Sequence, residues 1–190
     1  MEGIDRLRRR EPAALQAVVD ENGRRLFRAA RAWGLRTEEA EDVVQEVFVT
    51  FLETLDRFEG RSRVSTWLYG ILHHKCLERG RVRAREQSHD PIDEAFEARF
   101  DASGGWKETP VDLDRLVGSS ETGAAIEGCL GTLPQPQRDV FVLRLIEELP
   151  AADVARILGR TVTHVGVLLH RARTRLRTCL EGRGWAAHVR

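Results

Sequence analysis

Cysteine is scarce in this chain, and no two cysteines lie close together. The three cysteines, Cys76, Cys129 and Cys179, are odd in number and none belongs to a Cys-x-x-Cys pair. This spacing does not indicate a disulfide framework or a structural zinc site. We therefore expect a reduced chain of the kind found in the cytoplasm.

Long apolar runs and a recognisable targeting signal are also missing. No stretch of about 18 consecutive apolar residues occurs, so we expect no membrane span. The opening segment "MEGIDRLRRREPAAL" has no apolar core of the type that a secretory signal peptide requires. Both absences favour a cytoplasmic protein, and a hydrophobic content of 42% is enough for a buried core.

A net charge is missing as well, since 30 basic residues balance 30 acidic ones. The distribution is nevertheless uneven. Basic residues dominate residues 57–85 and 156–177, and the second block has six arginines and no acid. Residues 88–121 between them are acidic and contain glycine and proline. Local charge therefore suggests a nucleic-acid partner, and the acidic segment is predicted to be a flexible linker.

Helical periodicity is the strongest positive signal in the sequence. Apolar residues recur at three- and four-residue spacing along residues 13–33, 38–58 and 65–85, and shorter helical patterns follow residue 122. The pattern predicts an all-α protein with two small helical domains joined by an acidic flexible linker. We place the domains at residues 1–87 and 122–190, with the linker at residues 88–121.

The helix predicted at residues 38–58 is amphipathic. Thr37 offers an N-cap oxygen before it, and acidic residues follow in the first turn. Its apolar side is predicted to comprise Val44, Val47, Phe48, Phe51, Leu52 and Leu55. Its other face shows Asp42, Gln45, Glu46 and Glu53.

The last two helices form a helix-turn-helix pattern. A short helix at residues 150–159 stops at Gly159, which favours a left-handed backbone, and a longer basic helix follows. A helical wheel places Leu168 at the edge of the core side and Val167 on the outward side, where a valine could contact a thymine methyl. The core side comprises Val165, Leu169, Ala172, Leu176 and Cys179, and the outward side comprises Thr163, His164, Val167, His170, Arg171 and Thr174. The same pattern also fits an amphipathic helix with a solvated arginine face.

Two segments together resemble a sigma factor of the bacterial extracytoplasmic-function (ECF) group. "AEDVVQEVFVTFLETLDRFEGRSRVSTWLYGILHHKCLER" is similar to region 2 of that family, with its acidic D-x-x-Q-E-x-F helix, Phe-x-Gly loop and T-W-L-Y segment. "LGTLPQPQRDVFVLRLIEELPAADVARILGRTVTHVGVLLHRARTRLR" is similar to region 4. The resemblance implies a transcription initiation factor that binds core RNA polymerase and directs it to promoters by −10 and −35 recognition, and that assists promoter melting.

The resemblance implies partners and contact residues for each segment. The acidic helix would bind the clamp helices of the largest polymerase subunit, and region 4 would meet the flap of the second-largest subunit. An anti-sigma factor is a further expected partner. The core-polymerase contacts would be Asp42, Gln45, Glu46, Phe48 and Val49.

Contacts to the promoter −10 element would come from the loop at residues 58–64 and the helix after it, which trap a flipped base. Trp67 and Tyr69 could stack on bases, although Trp67 fits better as a core aromatic. His74 stands where many relatives have asparagine, which bears on the −10 bases that are read. The −10 contacts would be Phe58, Gly60, Arg61, Ser62, Arg63, Ser65, His74 and Lys75, with Arg79, Arg81 and Arg83 on phosphates.

Contacts to the −35 element would come from the last helix and the turn before it. The first turns would reach base edges, and the later arginines would meet phosphates. The −35 contacts would be Arg160, Thr161, Thr163, His164, Val167, His170, Arg171 and Arg173.

Other classes of function fit the sequence less well. His73 and Cys76 share a helix face, but a metal site needs at least a third ligand, and no catalytic or cofactor-binding motif occurs. We therefore expect no metal, no cofactor and no enzymatic activity. Two alternatives are a stand-alone helix-turn-helix regulator and a polymerase-binding protein without specific DNA readout.

Overall fold

The computed structural model describes the backbone of residues 2–81, 126 and 128–183 and the side chains of residues 4–79, 126 and 128–183. Backbone contacts divide the chain into two units, Met1–Arg85 and Glu86–Arg190. Across the described ranges the regular elements are helices, with no strand among them, which confirms the all-α prediction. The proposed linker at residues 88–121 lies outside the described residues, so its bounds stay a prediction.

The first unit is a bundle of three long helices with a short one beside it. Helix α1 spans Glu2–Arg8, α2 Pro12–Ala32, α3 Thr37–Thr54 and α4 Val64–Arg81, and a 3₁₀ turn at Leu55–Arg57 follows α3. Helices α2, α3 and α4 pack against one another. The side chains that fill the space between them are at most 1% exposed, and they include Leu26, Val43, Val47, Phe51, Leu68 and Leu72.

The start of α3 differs from the prediction by one residue. Arg36, rather than Thr37, holds the N-cap position, and its backbone N–H donates to the carboxylate of Glu39 at 2.9 Å. This contact satisfies one of the N–H groups that a helix leaves without an internal partner at its beginning. Thr37 was predicted as the cap because sequence preference favours threonine there, but it is the first residue of the helix, and Glu39, three residues after Arg36, accepts from the N-cap backbone N–H.

The second unit contains the helix-turn-helix. Helix α5 spans Gln135–Phe141 and continues into a π-helical turn at Val142–Ile146, and α6 spans Ala151–Leu158. Gly159 then takes a left-handed conformation with φ 62°, as predicted, and α7 runs over Val162–Gly182. Helix α7 packs on both α5 and α6.

A disulfide links an early helical segment of the described part of the second unit to the last helix. Cys129, in the helical residues 128–130, is bonded to Cys179 near the end of α7, and their Cα atoms are 5.9 Å apart. The expectation of a reduced chain is therefore wrong for these two residues. The spacing of the cysteines did not predict this bond, because the two residues are separated by 50 positions. Only the packing of the unit brings them within bonding range.

None of the helices in the described ranges is long and apolar enough to cross a membrane.

Candidate functional site

Helix α3 presents an exposed stripe in which two polar side chains are followed by two apolar ones. Asp42, Gln45, Val49 and Leu52 follow at spacings of three and four residues, which places them along one side of the helix. Val49 is 55% exposed and Leu52 36% exposed, and both rank among the exposed large hydrophobics of the described residues. We call these four residues the α3 stripe.

Two α3 predictions change with this placement. Leu52 was expected in the core, but it lies on the exposed stripe because α3 buries only the side that carries Ala40, Val43, Val47 and Phe51. Phe48, predicted as a polymerase contact, is half-buried beside the stripe. The sequence did contain a signal for the exposure of Leu52, because its spacing from Gln45 and Val49 places all three on the same side of the helix.

Glu46 lies next to the stripe and joins α3 to α4. Its carboxylate is 2.5 Å from the guanidinium of Arg79 and 3.5 Å from the ammonium of Lys75. Arg79 also donates a hydrogen bond to the backbone carbonyl of Glu39 at 3.0 Å. The predicted polymerase contact Glu46 is thus paired with two of the predicted −10 contacts, within one cluster on the surface of the first unit.

The loop at residues 58–63, between the 3₁₀ turn and α4, carries charged side chains outward and aromatic ones inward. Arg61 and Arg63 are exposed, and Arg61 pairs with Glu59 at 2.5 Å. Phe58 is only 1% exposed, and its ring meets the edge of Trp67 with a centroid distance of 5.4 Å. Phe58 therefore supports the loop from below and presents no ring for a base to stack on.

The aromatic residues of α4 belong to the core or its edge. Tyr69 is 1% exposed, so the prediction that it could stack on a base is wrong for this structure. Trp67 is half-buried against Phe58, in agreement with its interpretation as a core aromatic. The sequence alone does not show whether an aromatic residue is buried or stacks on a base, because its ring suits both a core and a stacking surface.

The remaining predicted −10 residues lie along α4 and in the loop before it. Ser62 and Ser65 are half-buried, and His74 is exposed and 3.2 Å from Glu78, one turn further along. The side chains of Arg81 and Arg83 lie outside the described residues. His73 is buried, with its ring 5.4 Å from that of Trp33. Among the described side chains no group of three metal-ligating residues occurs.

Val167 is buried, so its predicted place on the outward face of α7 is wrong. The residue is 0% exposed, and Val165, Leu168 and Leu169 around it are also buried. The helical wheel assigned α7 a single narrow buried side, but the consecutive residues Val167, Leu168 and Leu169 are all buried, so the buried arc is wider than predicted. Leu168 is buried at 2% exposure, as predicted.

The polar residues at the beginning of α7 remain accessible. Arg160 and Thr161 are exposed, and Thr163 and His164 are half-exposed. The hydroxyl of Thr161 accepts a hydrogen bond from the backbone N–H of His164 at 3.1 Å, so this threonine is the N-cap of α7. Further along, the side chains are half-buried at His170, Arg171 and Arg173 and exposed at Arg175 and Arg177.

Comparison with known proteins matches each unit to a region of a known protein family. The sequence profile of Sigma-70 region 2 matches residues 18–86, and that of Sigma-70, region 4 matches residues 123–176. A probable RNA polymerase sigma factor of Haemophilus influenzae is 31% identical over 75% of this chain and 77% of its own. The ECF RNA polymerase sigma factor SigD of Mycobacterium tuberculosis is 31% identical over 73% of this chain, and the match spans 61% of SigD.

A solved structure is similar over most of the chain. CnrH, determined in complex with the cytosolic domain of CnrY, has a TM-score of 0.63 and 25% sequence identity, and the match covers 90% of each chain. A helical region 2 unit followed by a region 4 helix-turn-helix defines a transcription initiation factor that acts with RNA polymerase. The chain belongs to the sigma factor family, in its extracytoplasmic-function group.

Proposed function

We propose that this protein binds core RNA polymerase, recognises the −10 and −35 elements of its promoters and assists their melting. The observation that carries the proposal is the α3 stripe, where Val49 and Leu52 are exposed among polar residues in a unit of the region 2 family. Exposed large apolar side chains next to one another indicate a surface that a partner covers. The chemistry of RNA synthesis remains with the polymerase, and no residue of this chain is assigned a catalytic role.

The α3 stripe is the proposed polymerase-docking surface. Gln45 and Val49 are its centre, Asp42 and Leu52 extend it, and Phe48 borders it. The partner is the clamp helices of the largest subunit, whose basic side chains would complement the carboxylates of α3. Glu46 contributes less through direct contact than sequence reasoning expected, because its carboxylate is already held by Lys75 and Arg79.

The loop at residues 58–63 and the basic side of α4 form the proposed −10 surface. Arg61 and Arg63 extend from the loop, with Ser62 between them and Gly60 before them. Phosphate contacts from exposed arginines are strong and independent of sequence, whereas a flipped base needs a shaped pocket. Ser65, His74, Lys75 and Arg79 extend this surface along α4. Arg81, whose side chain lies outside the described residues, is assigned to it by the resemblance alone.

The beginning of α7 forms the proposed −35 surface. Thr163 and His164 are half-exposed in its first turn and are assigned to base edges. Arg160, Arg171 and Arg173, with His170, are assigned to phosphates. The same unit is proposed to meet the flap of the second-largest subunit. Val167 has no part in base contact, since its side chain is buried.

An anti-sigma factor is proposed as the regulatory partner. Support comes from the similarity to CnrH, whose structure was solved with the cytosolic domain of CnrY. The protein is proposed to work in the cytoplasm, where RNA polymerase transcribes. A stand-alone helix-turn-helix regulator would leave the α3 stripe without a role.

The docking surface is tested by charge placed on single exposed valines. Val49→Asp in the stripe is compared with Val19→Asp on α2, where a valine is 40% exposed outside the stripe. Titration with labelled core polymerase is expected to show a loss of affinity of about tenfold or more for Val49→Asp and less than about twofold for Val19→Asp. Equal effects of the two variants would contradict the docking assignment.

A further inference from the structure

Helix α1 contacts the loop at residues 58–63 from the far end of the first unit's sequence. The guanidinium of Arg8 donates a hydrogen bond to the backbone carbonyl of Phe58 at 2.8 Å, across 50 positions. Hydrogen bonds with a charged donor are shorter and stronger than neutral ones. Arg8 therefore fixes the point at which the chain leaves the 3₁₀ turn and enters the loop.

A second contact lies at Gly60, two residues further on. Gly60 has φ +74°, and a Cβ atom built on it would lie 2.5 Å from Cδ1 of Ile4. The side chain of Ile4 thus covers the backbone of the loop at its left-handed residue, a conformation that glycine adopts without strain. One turn of α1 separates Ile4 from Arg8, so both side chains project from the same side of the helix.

Helix α1 is itself anchored to the rest of the unit. Leu7 is buried at 6% exposure. Arg6, on α1, donates a hydrogen bond to the carboxylate of Glu11 at 2.8 Å, and this bond lowers the pKa of that carboxyl. Arg10 reaches the backbone carbonyl of Leu52 at 3.4 Å. The helix is therefore a fixed support and not a loose end resting on the loop.

We infer that α1 braces the loop at residues 58–63, and that Ile4 and Arg8 are positioning residues for −10 recognition. The inference rests on the proposed function of the loop. A pocket for an extruded base has to be preformed to within a fraction of an ångström, and residues outside the pocket hold the ones inside it. Arg8 acts through the Phe58 carbonyl and Ile4 through Gly60, without touching DNA themselves.

Removal of the Arg8 hydrogen bond tests the brace in the protein alone. Arg8→Met keeps a long side chain and loses the donor, and Arg8→Lys keeps a charged donor. Arg9→Met removes the same charge at the neighbouring position, while the bond from Arg6 on α1 to Glu11 stays in place. The exposed Arg61 and Arg63 make the loop a trypsin site. Nicking within residues 61–63, followed by mass spectrometry, is expected to accelerate about tenfold in Arg8→Met and less than about twofold in Arg9→Met.

The role of α1 in −10 recognition is tested by measuring base selectivity in the holoenzyme. Each variant is assembled with core polymerase and incubated with single-stranded DNA oligonucleotides randomised over the −10 positions, and the bound pool is sequenced. The enrichment of the preferred base is expected to fall about tenfold in Arg8→Met, to recover partly in Arg8→Lys and to change less than about twofold in Arg9→Met. Affinity for core polymerase is expected to stay unchanged in all three variants.

Each outcome decides between the brace and the function on which it rests. Unchanged nicking in Arg8→Met, or unchanged base enrichment against a selective wild type, would overturn the role of α1 alone. A loss of enrichment in Arg9→Met equal to that in Arg8→Met would also overturn it, since charge and not the brace would then be responsible. A wild-type holoenzyme that enriches no −10 sequence would overturn the proposed function and this inference with it.

Discussion

Exposure decides which of the candidate contact residues can touch a partner. Val49 and Val167 are both valines on amphipathic helices, yet the first is 55% exposed and the second 0% exposed. The difference lies in the side of the helix that each occupies, since Val49 is on the exposed side of α3 whereas Val167 is among the buried residues of α7. Phe58 and Tyr69 are also buried, and both are therefore assigned structural roles.

Truncation of Val167 is expected to affect stability and leave DNA selectivity intact. Val167→Ala creates a small cavity between α7 and its neighbours and should lower the free energy of unfolding of the second unit by about 2 kcal/mol. Urea unfolding measures the loss, and binding to −35 duplexes with single base changes measures selectivity. Altered base preference in a folded Val167→Ala protein would show that the residue takes part in readout after all.

His164 and Arg173 are expected to differ in the kind of DNA contact that they make. His164 lies in the first turn of α7 and Arg173 about two and a half turns later. His164→Ala should therefore reduce the discrimination between −35 sequences, by about 1–3 kcal/mol if the side chain reads a base. Arg173→Ala should weaken binding to all sequences alike and reduce the salt dependence. Equal, sequence-independent losses from the two changes would contradict these roles.

At the scale of elements, α3 and α4 are joined through a cluster of charges at the surface. Glu46 holds Lys75 and Arg79, so these two side chains are not fully available to DNA phosphates in the isolated protein. Ion pairs with this degree of exposure contribute little to stability. Their effect is expected in binding, where each freed cation adds a phosphate contact.

Neutralising Glu46 is expected to strengthen binding of the isolated protein to single-stranded DNA. Glu46→Gln removes the carboxylate that holds both cations, whereas Glu53→Gln makes the same charge change elsewhere on α3. Affinity for an oligothymidylate, measured by fluorescence anisotropy over a range of salt concentrations, should rise about threefold more in Glu46→Gln, with a steeper salt dependence. The same gain in Glu53→Gln would show that only net charge matters.

The disulfide is an element-scale feature of the second unit. It closes a loop whose ends are 50 positions apart, which corresponds to an upper value of about 4 kcal/mol from the reduced freedom of the unfolded chain. Reductant is therefore expected to lower the unfolding temperature of the unit. The Cys129→Ser/Cys179→Ser double variant serves as the control and should not respond. A wild-type protein that unfolds identically with and without reductant would contradict the pairing.

Sequence reasoning predicted the elements better than their contacts. Residues 13–33 and α2 at Pro12–Ala32 nearly coincide, and Gly159 ends α6 as expected. These features follow from local periodicity and backbone preference. The bond between Cys129 and Cys179, the burial of Val167 and the contact of Arg8 with Phe58 depend on packing between distant segments. Periodicity within one helix carries no information about them.

At the scale of the whole molecule, the two units are expected to serve one reaction. A region 2 unit and a region 4 unit match the order of the sigma factor family. A regulator that only binds duplex DNA needs a helix-turn-helix alone, and a polymerase-binding protein without DNA readout needs only the α3 stripe. The presence of both surfaces in one chain favours promoter-specific initiation.

Mapping of transcript starts tests this account most directly. Core RNA polymerase is mixed with genomic promoter fragments in the presence of the wild-type protein, of Val49→Asp or of no added protein, and the 5′ ends of the transcripts are sequenced. The wild-type protein is expected to produce new, discrete start sites that share −10 and −35 sequences and are lost with Val49→Asp. The absence of new specific start sites with the wild-type protein would contradict the central claim.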